Sequence, residues 1–174
     1  WNEIPETARR LRGRIERVLS AAKADGLRDG LNPARWSDNL KPHFENRAKR
    51  QTGHFAAMDF EALPEFMTRL RALESISARA LEFTILTAAR TTEVRLATWD
   101  EIDFDDAVWS VPAERMKAGV EHEVPLSDRA LAILKAMKPG KKDALIFPST
   151  APGEPLADQA MLQCLRGLAE GVTT

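Results

Sequence analysis

A mainly α-helical chain carrying one small three-stranded antiparallel sheet, an α+β arrangement, is predicted by three observations. Apolar residues recur at helical spacing in several separated stretches, each opened by a capping residue or a proline. Only the region between Trp99 and Ser127 alternates instead, with turn residues at two points. Charge also divides along the chain: residues 1–58 hold 12 Lys+Arg against 7 Asp+Glu, and residues 59–174 hold 13 against 19.

The first helix is predicted from Pro5 to about Gly26. Pro5 suits a first-turn position and Gly26 a C-terminal stop. Leu11, Ile15, Val18, Leu19 and Ala22 form its apolar stripe, and Arg9, Arg10, Arg12, Arg14 and Arg17 surround it. From Trp36 to Met58 no period is visible. This stretch contains Lys41, His43, Arg47, Lys49, Arg50 and His54, with Pro42 and Gly53, and reads as a basic linker. It is longer than an ordinary connection, which marks it as functional or mobile.

A new domain is predicted from Asp59. Asp59 is a good N-cap, and Phe60, Leu63, Phe66, Met67 and Leu70 follow helical spacing. Ser75 to Ala89 is apolar almost all round (Ile76, Ala80, Leu81, Phe83, Ile85, Leu86, Ala88, Ala89), so this helix is expected to be buried. Arg90 is expected at its C-terminal end, with Glu93 three residues on. An arginine delivered by a buried helix needs a partner, because an uncompensated charge is costly there. Two fates are open: an internal pair with Glu93, assisted by the negative end of the helix dipole, or a ligand anion.

In the alternating region, Ile102 and Phe104 share one side of a short strand, Asp105-Asp106 turns the chain, and Val108–Val111 is a second strand. Ala118-Gly119 turns into a third, 121–125, which puts Lys117 near the tip of the last hairpin. Ser127 is an N-cap for a helix from Asp128 to Met137. Leu145-Ile146-Phe147 is a short extended run. Asp158 is expected to cap a last helix with Met161, Leu162, Leu165 and Leu168 on one face, and Gly171 to stop it.

A chain of 174 residues allows one main domain plus a fragment of another. A net charge of −1 argues against a simple cationic nucleic-acid binder, although the basic front and acidic back suit a protein with one face toward a polyanion. One cysteine, Cys164, excludes an internal disulfide framework and is expected to pack in a helix. Three scattered histidines show no metal-ligand spacing, so neither metal nor cofactor is expected. Nothing is apolar and long enough to span a membrane, and a cytosolic setting is expected.

The most specific stretch runs from Arg90 to Ser127. Arginine with glutamate three residues on is followed by Trp99-Asp100-Glu101-Ile102-Asp103. Then come Val111-Pro112-Ala113-Glu114-Arg115-Met116-Lys117 and His122-Glu123-Val124-Pro125-Leu126-Ser127. It resembles the tyrosine recombinases, and among them the integrases of prophages and genomic islands. Such a resemblance implies site-specific DNA recombination through a 3′-phosphotyrosine, without metal or nucleotide. It implies Arg90 and Lys117 as catalytic residues, Glu93 as support, and DNA contacts by Lys49, Arg50, Arg115 and His122. It further implies double-stranded DNA attachment sites as partner, a tetramer on DNA for a full-length parent, and a nucleoid location in the cytoplasm. By the same resemblance, residues 1–35 hold the last helix of an N-terminal DNA-binding domain, 36–58 a linker across the DNA backbone, and 59–174 the first part of the catalytic domain.

The departure from the family is large: the chain contains no tyrosine, and the family's downstream His-x-x-Arg and second His or Trp are missing as well. The family's His-x-x-Arg and nucleophilic Tyr are expected to lie beyond Thr174, so an inactive fragment of a longer integrase is expected. Two other functions compete: a non-catalytic DNA-binding remnant, and an unrelated helical interaction domain in which Arg90 and Glu93 form only an internal pair.

Overall fold

The computed structural model of the chain describes residues 4–44, 57–137 and 139–169. Two units separate by their internal contacts, Trp1–Gly53 and His54–Thr174.

In the first unit, α1 (Pro5–Ala24) has Pro5 at its start, and Gly26 takes the left-handed φ of +70° just after it. Both terminal signals are where the sequence put them. The apolar stripe is uncovered among the described residues. Leu11, Ile15 and Val18 are all exposed, and no residue of α1 is buried among the described residues. The unit is instead held by polar ties. Asn32, itself buried, donates to the Glu16 carbonyl (2.7 Å) and the Ser20 hydroxyl (2.8 Å) and accepts from the Ala34 amide. Arg12 donates to the Ala34 carbonyl at 2.9 Å and lies 5.8 Å from the Trp36 ring centre. The start of the stretch read as an aperiodic linker is helical: a π-turn over Trp36–Leu40 leads into α2 (Lys41–Phe44), and Trp36 stacks on Phe44 with centroids 6.1 Å apart. Periodicity fails there because the segments are too short to show it.

The second unit begins with the Asp59 carboxylate accepting from the Glu61 amide, ahead of a 3₁₀ turn and α3 (Leu63–Arg71). Ser75 caps α4 (Ile76–Thr87) through the Ala78 amide, and Ser127 caps α6 (Asp128–Ala136) through the Ala130 amide. Between α4 and α6 lie α5 (Thr91–Arg95) and the strands β1 (Ile102–Asp103), β2 (Val108–Val111) and β3 (His122–Pro125). They form the expected antiparallel sheet in the order β1-β2-β3, with Ile102 opposite Trp109 and Trp109 opposite Val124. Asp103 accepts from the amides of Asp105 and Asp106 and closes the first turn.

Period-two alternation buries Trp109 and Val111 on one face of β2. There Trp109 meets Phe83 of α4 at 5.3 Å between centroids, and Phe83 meets Phe147 at 5.6 Å. Phe66 and Leu70 of α3, Ile133 and Leu134 of α6, and Met161 and Leu165 of α7 (Ala160–Leu168) complete the core. Cys164 packs against it, and burial pushes its thiol pKa up. Asp158 does not cap α7: its carboxylate pairs with Arg95, and the N-cap position is Gln159, with no side-chain cap. Gly171 lies outside the described residues. No described helix is long and apolar enough to cross a membrane.

One charged side chain is fully inside this core. Glu82 of α4 is 0% exposed. Arg129 grips it with two bonds of 2.8 and 2.9 Å, Arg71 adds one at 2.7 Å, and Arg79 lies 3.8 Å away. Desolvation raises the Glu82 pKa, but the hydrogen bonds and charges of Arg129 and Arg71 outweigh it and hold the carboxyl below its ordinary value.

Candidate functional site

Arg90 is not the last residue of the buried helix. That helix stops at Thr87, because Ala88 turns left-handed with φ +52°. Arg90 is extended (φ −75°, ψ 147°) and is the N-cap of α5. A cation gains nothing from the dipole at a helix N-terminus, so the dipole does not account for its placement. Glu93 does. Its carboxylate accepts the Arg90 backbone amide at 2.8 Å and the Arg90 Nη1 at 2.7 Å. Backbone and guanidinium are therefore both referred to one buried group.

The asymmetry of this pair decides what it can do. The Glu93 side chain is 6% exposed and the Arg90 side chain 62%. One edge of the guanidinium is anchored while most of its five N–H donors face outward. Such a fork is fixed in direction and able to take two oxygens of an anion at once. An alanine in the left-handed region two residues before Arg90 stores about 1 kcal/mol. Ala88→Gly is therefore expected to raise the stability of this unit by a few tenths to about 1 kcal/mol, read by urea unfolding; an unchanged or lowered midpoint would refute strain at this turn.

Lys117 lies in the loop between β2 and β3, after a 3₁₀ turn over Ala113–Arg115. The Gly119 amide closes the loop onto the Met116 carbonyl at 2.9 Å, with Gly119 at φ +66°. Lys117 is exposed while Met116 packs against the core. His122 is exposed on β3, opposite Val111. Among the described residues neither the Lys117 ammonium nor the His122 ring has a hydrogen-bond or ion-pair partner. Lys49 and Arg50 lie outside the described residues.

Arg115 points the other way from the expectation of a DNA contact. Its side chain is 17% exposed, and its guanidinium donates to the Leu96 carbonyl and to Glu101. Three residues with structural duties went unread in the sequence, Glu101 and Arg95 near this site and Glu82 in the core. Glu101, 8% exposed, accepts from Thr98 (2.7 Å), Trp109 Nε1 (2.9 Å) and Arg115. Arg95 binds the Leu156 carbonyl at 2.6 Å as well as Asp158. Glu82 is the one carboxylate of α4, whose other polar residues are Ser77, Arg79, Thr84 and Thr87.

Comparison with known proteins agrees with this architecture. The sequence model of the phage integrase family matches residues 56–173, and that of the phage integrase central domain matches residues 1–39. Prophage integrase IntA of Escherichia coli K12 is 40% identical over 166 residues, covering 92% of this chain and 38% of that protein. The integrase of Enterobacteria phage P4 is 33% identical over 159 residues, covering 82% and 34%. The chain thus spans little more than a third of the length of these relatives. A similar fold occurs in the Tn1549 transposon integrase bound to a circular intermediate DNA (TM-score 0.64, 11% identity, 97% of this chain and 61% of that one). It occurs again in a lambda integrase tetramer bound to a Holliday junction (TM-score 0.59, 20% identity, 89% and 42%). A family match over most of the chain, together with curated relatives at 40% and 33% identity that cover most of it, means that this chain belongs to the phage integrase family.

Proposed function

We propose that the chain is the core of a tyrosine-type site-specific recombinase, whose whole protein integrates or excises DNA at attachment sites. The observation that carries this reading is the Arg90–Glu93 pair: an exposed guanidinium anchored at one nitrogen by a buried carboxylate that also holds the Arg90 backbone amide.

In this reading the Arg90 fork binds two non-bridging oxygens of the scissile phosphate and stabilises the charge that grows on them in the transition state. A tyrosine oxygen attacks phosphorus, a 3′-phosphotyrosine bond forms, and the bond from phosphorus to the 5′-oxygen breaks. Lys117 delivers a proton to that leaving oxygen as general acid. His122 contacts the DNA backbone, as do Lys49 and Arg50, positioning the duplex without reading its sequence. Arg115 is left out of this set, since its Nη1 and Nη2 are turned inward to the Leu96 carbonyl and Glu101, although its buried Nε has no partner among the described residues. Residues 1–35 belong to the N-terminal DNA-binding domain, 36–58 to the segment that crosses the backbone, and 59–174 to the catalytic domain. The whole protein works as a tetramer on paired sites in the nucleoid.

The chain contains no tyrosine. Incubated with duplex DNA, it is expected to bind but to form no covalent adduct, whereas a phosphotyrosyl product would refute the assigned chemistry. Binding itself is the test. Arg90→Ala is expected to weaken duplex affinity and to lower the slope of log K against log salt by about one phosphate contact. If the unaltered chain has no affinity for duplex DNA even at low salt, the chain is an interaction domain and the pair is internal.

A further inference from the structure

The two cations assigned to catalysis sit on different elements, and something must set one relative to the other. Lys117 lies on an exposed loop with no partner among the described residues. Two residues before it, Arg115 is turned into the protein. Arg115 reaches the Leu96 carbonyl with one nitrogen and the Glu101 carboxylate with the other. Leu96 is the C-cap of α5, the five-residue helix whose N-cap is Arg90 and whose buried Glu93 holds Arg90. Glu101 is in turn fixed by Thr98 and by the indole of Trp109 at the centre of β2. A continuous set of bonds therefore runs from the Arg90 guanidinium through Glu93, α5 and the Leu96 carbonyl to Arg115, and from there two peptide bonds lead through Met116 to Lys117.

From this arrangement we infer that Arg115 and Glu101 are positioning residues, which pin the root of the Lys117 loop to the helix led by Arg90. The inference rests on the proposed recombinase reading and adds to it a device that sets the reach of Lys117. Only an arginine suits the position. Its planar fork spans a carbonyl and a carboxylate in different segments, which one ammonium cannot do with the same geometry. Glu101 is needed because a guanidinium buried to this degree requires a compensating charge. Beyond Met116 the loop is closed by the Gly119 amide on the Met116 carbonyl, so the reach of Lys117 is set from its root.

A double-mutant cycle tests this in the 174-residue chain with a duplex oligonucleotide at low salt. Lys117→Ala is expected to weaken binding several-fold and to lower the salt slope by about one contact. Arg115→Gln is expected to do nearly as much, because Lys117 loses its aim. In a chain already carrying Lys117→Ala, adding Arg115→Gln is expected to cost nothing more, since residues that act as a unit are not additive. An Arg115 that merely stabilised the sheet, or that touched phosphate itself, would weaken binding equally in both backgrounds, and that result overturns the inference. If Arg115→Gln does not fold, the cycle is run with Glu101→Gln, which keeps shape and removes the charge; the same non-additivity is expected, and additivity overturns the proposal. If the chain binds DNA and Lys117→Ala has no effect, the positioning role falls while the DNA-binding reading stands. If the unaltered chain binds no duplex, the recombinase reading falls first and takes the inference with it.

Discussion

Replacing Glu82 by alanine is expected to destabilise the His54–Thr174 unit by about 3 kcal/mol at neutral pH. Removing one member of a buried charge cluster costs about 3–5 kcal/mol when the remaining charge has nowhere to go. Here the figure falls at the low end, because the survivors have somewhere to go: Arg71 and Arg129 are 44% and 42% exposed in their side chains. They can turn to water, whereas Glu82, at 0%, cannot. The loss is thus mainly the three hydrogen bonds from Arg71 and Arg129, which tie α3 and α6 to α4, together with a cavity among apolar neighbours. Glu82→Gln keeps the volume and one acceptor, and its cost is expected to be smaller but still clear. Equilibrium urea unfolding at pH 7 measures both, and a Glu82→Ala loss below about 1 kcal/mol would mean that the arginines are surface decoration.

The sign of the pH dependence follows from the direction of the shift. The folded Glu82 carboxyl lies below its ordinary pKa, held there by Arg129 and Arg71 against desolvation. In the acid range the unfolded chain therefore binds a proton that the folded chain refuses, and stability rises with pH. The contribution is complete above the ordinary carboxylate range and is lost as pH falls through the folded value. Unaltered protein and Glu82→Gln should accordingly converge in stability as the solution is acidified. Parallel curves with no convergence would show that the carboxylate is not ionised in the fold.

Why Glu82 was passed over in the sequence explains what sequence reading can reach. The features it found are local. Asp59, Ser75 and Ser127 each bond an amide two or three residues on, so residue type and neighbours suffice to place a helix start. The strands were legible because alternation and turn residues are adjacent in the chain, and the observed register pairs Trp109 with Val124. Glu82 was not, because Arg129 comes from 47 residues away. Asp158 failed for the same reason in reverse: a good local cap was claimed by Arg95, which no short window contains. The stripe of α1 shows a third limit, since periodicity says that a face is apolar and not whether anything covers it.

At the candidate site the division is similar. The Arg90–Glu93 contact was legible only as a three-residue spacing and one of two open fates, with Arg90 placed at a helix end rather than a helix start. Its geometry was not, because the end of α4 depends on a left-handed alanine, a conformation that alanine rarely adopts and no propensity forecasts. The inward turn of Arg115 was not legible, because an arginine two residues from a loop tip ordinarily points outward. Its inward turn depends on Glu101 and on the Leu96 carbonyl, 14 and 19 residues back.

In a longer chain that joins this segment to a tyrosine nucleophile, Arg90→Lys is expected to slow strand cleavage by about 10²–10³-fold while duplex affinity changes by no more than about threefold. Two effects compete at this position. Charge alone supports binding, since either cation neutralises a phosphate in high dielectric. Geometry alone supports the chemistry, since the transition state needs donors fixed on two oxygens while Glu93 holds the other edge. A lysine ammonium with three rotating donors cannot satisfy the carboxylate and both oxygens at defined angles. If geometry wins, binding and cleavage separate, and Glu93→Gln should fall between the two chains, because it keeps an acceptor for the Arg90 amide but loosens the guanidinium. If charge wins, Arg90→Lys cleaves nearly as fast as the unaltered protein, and Glu93 has only a structural role. Single-turnover cleavage measured beside equilibrium binding separates these outcomes, because a rate loss of the expected size corresponds to about 3–4 kcal/mol of transition-state stabilisation that no change in ground-state affinity accounts for.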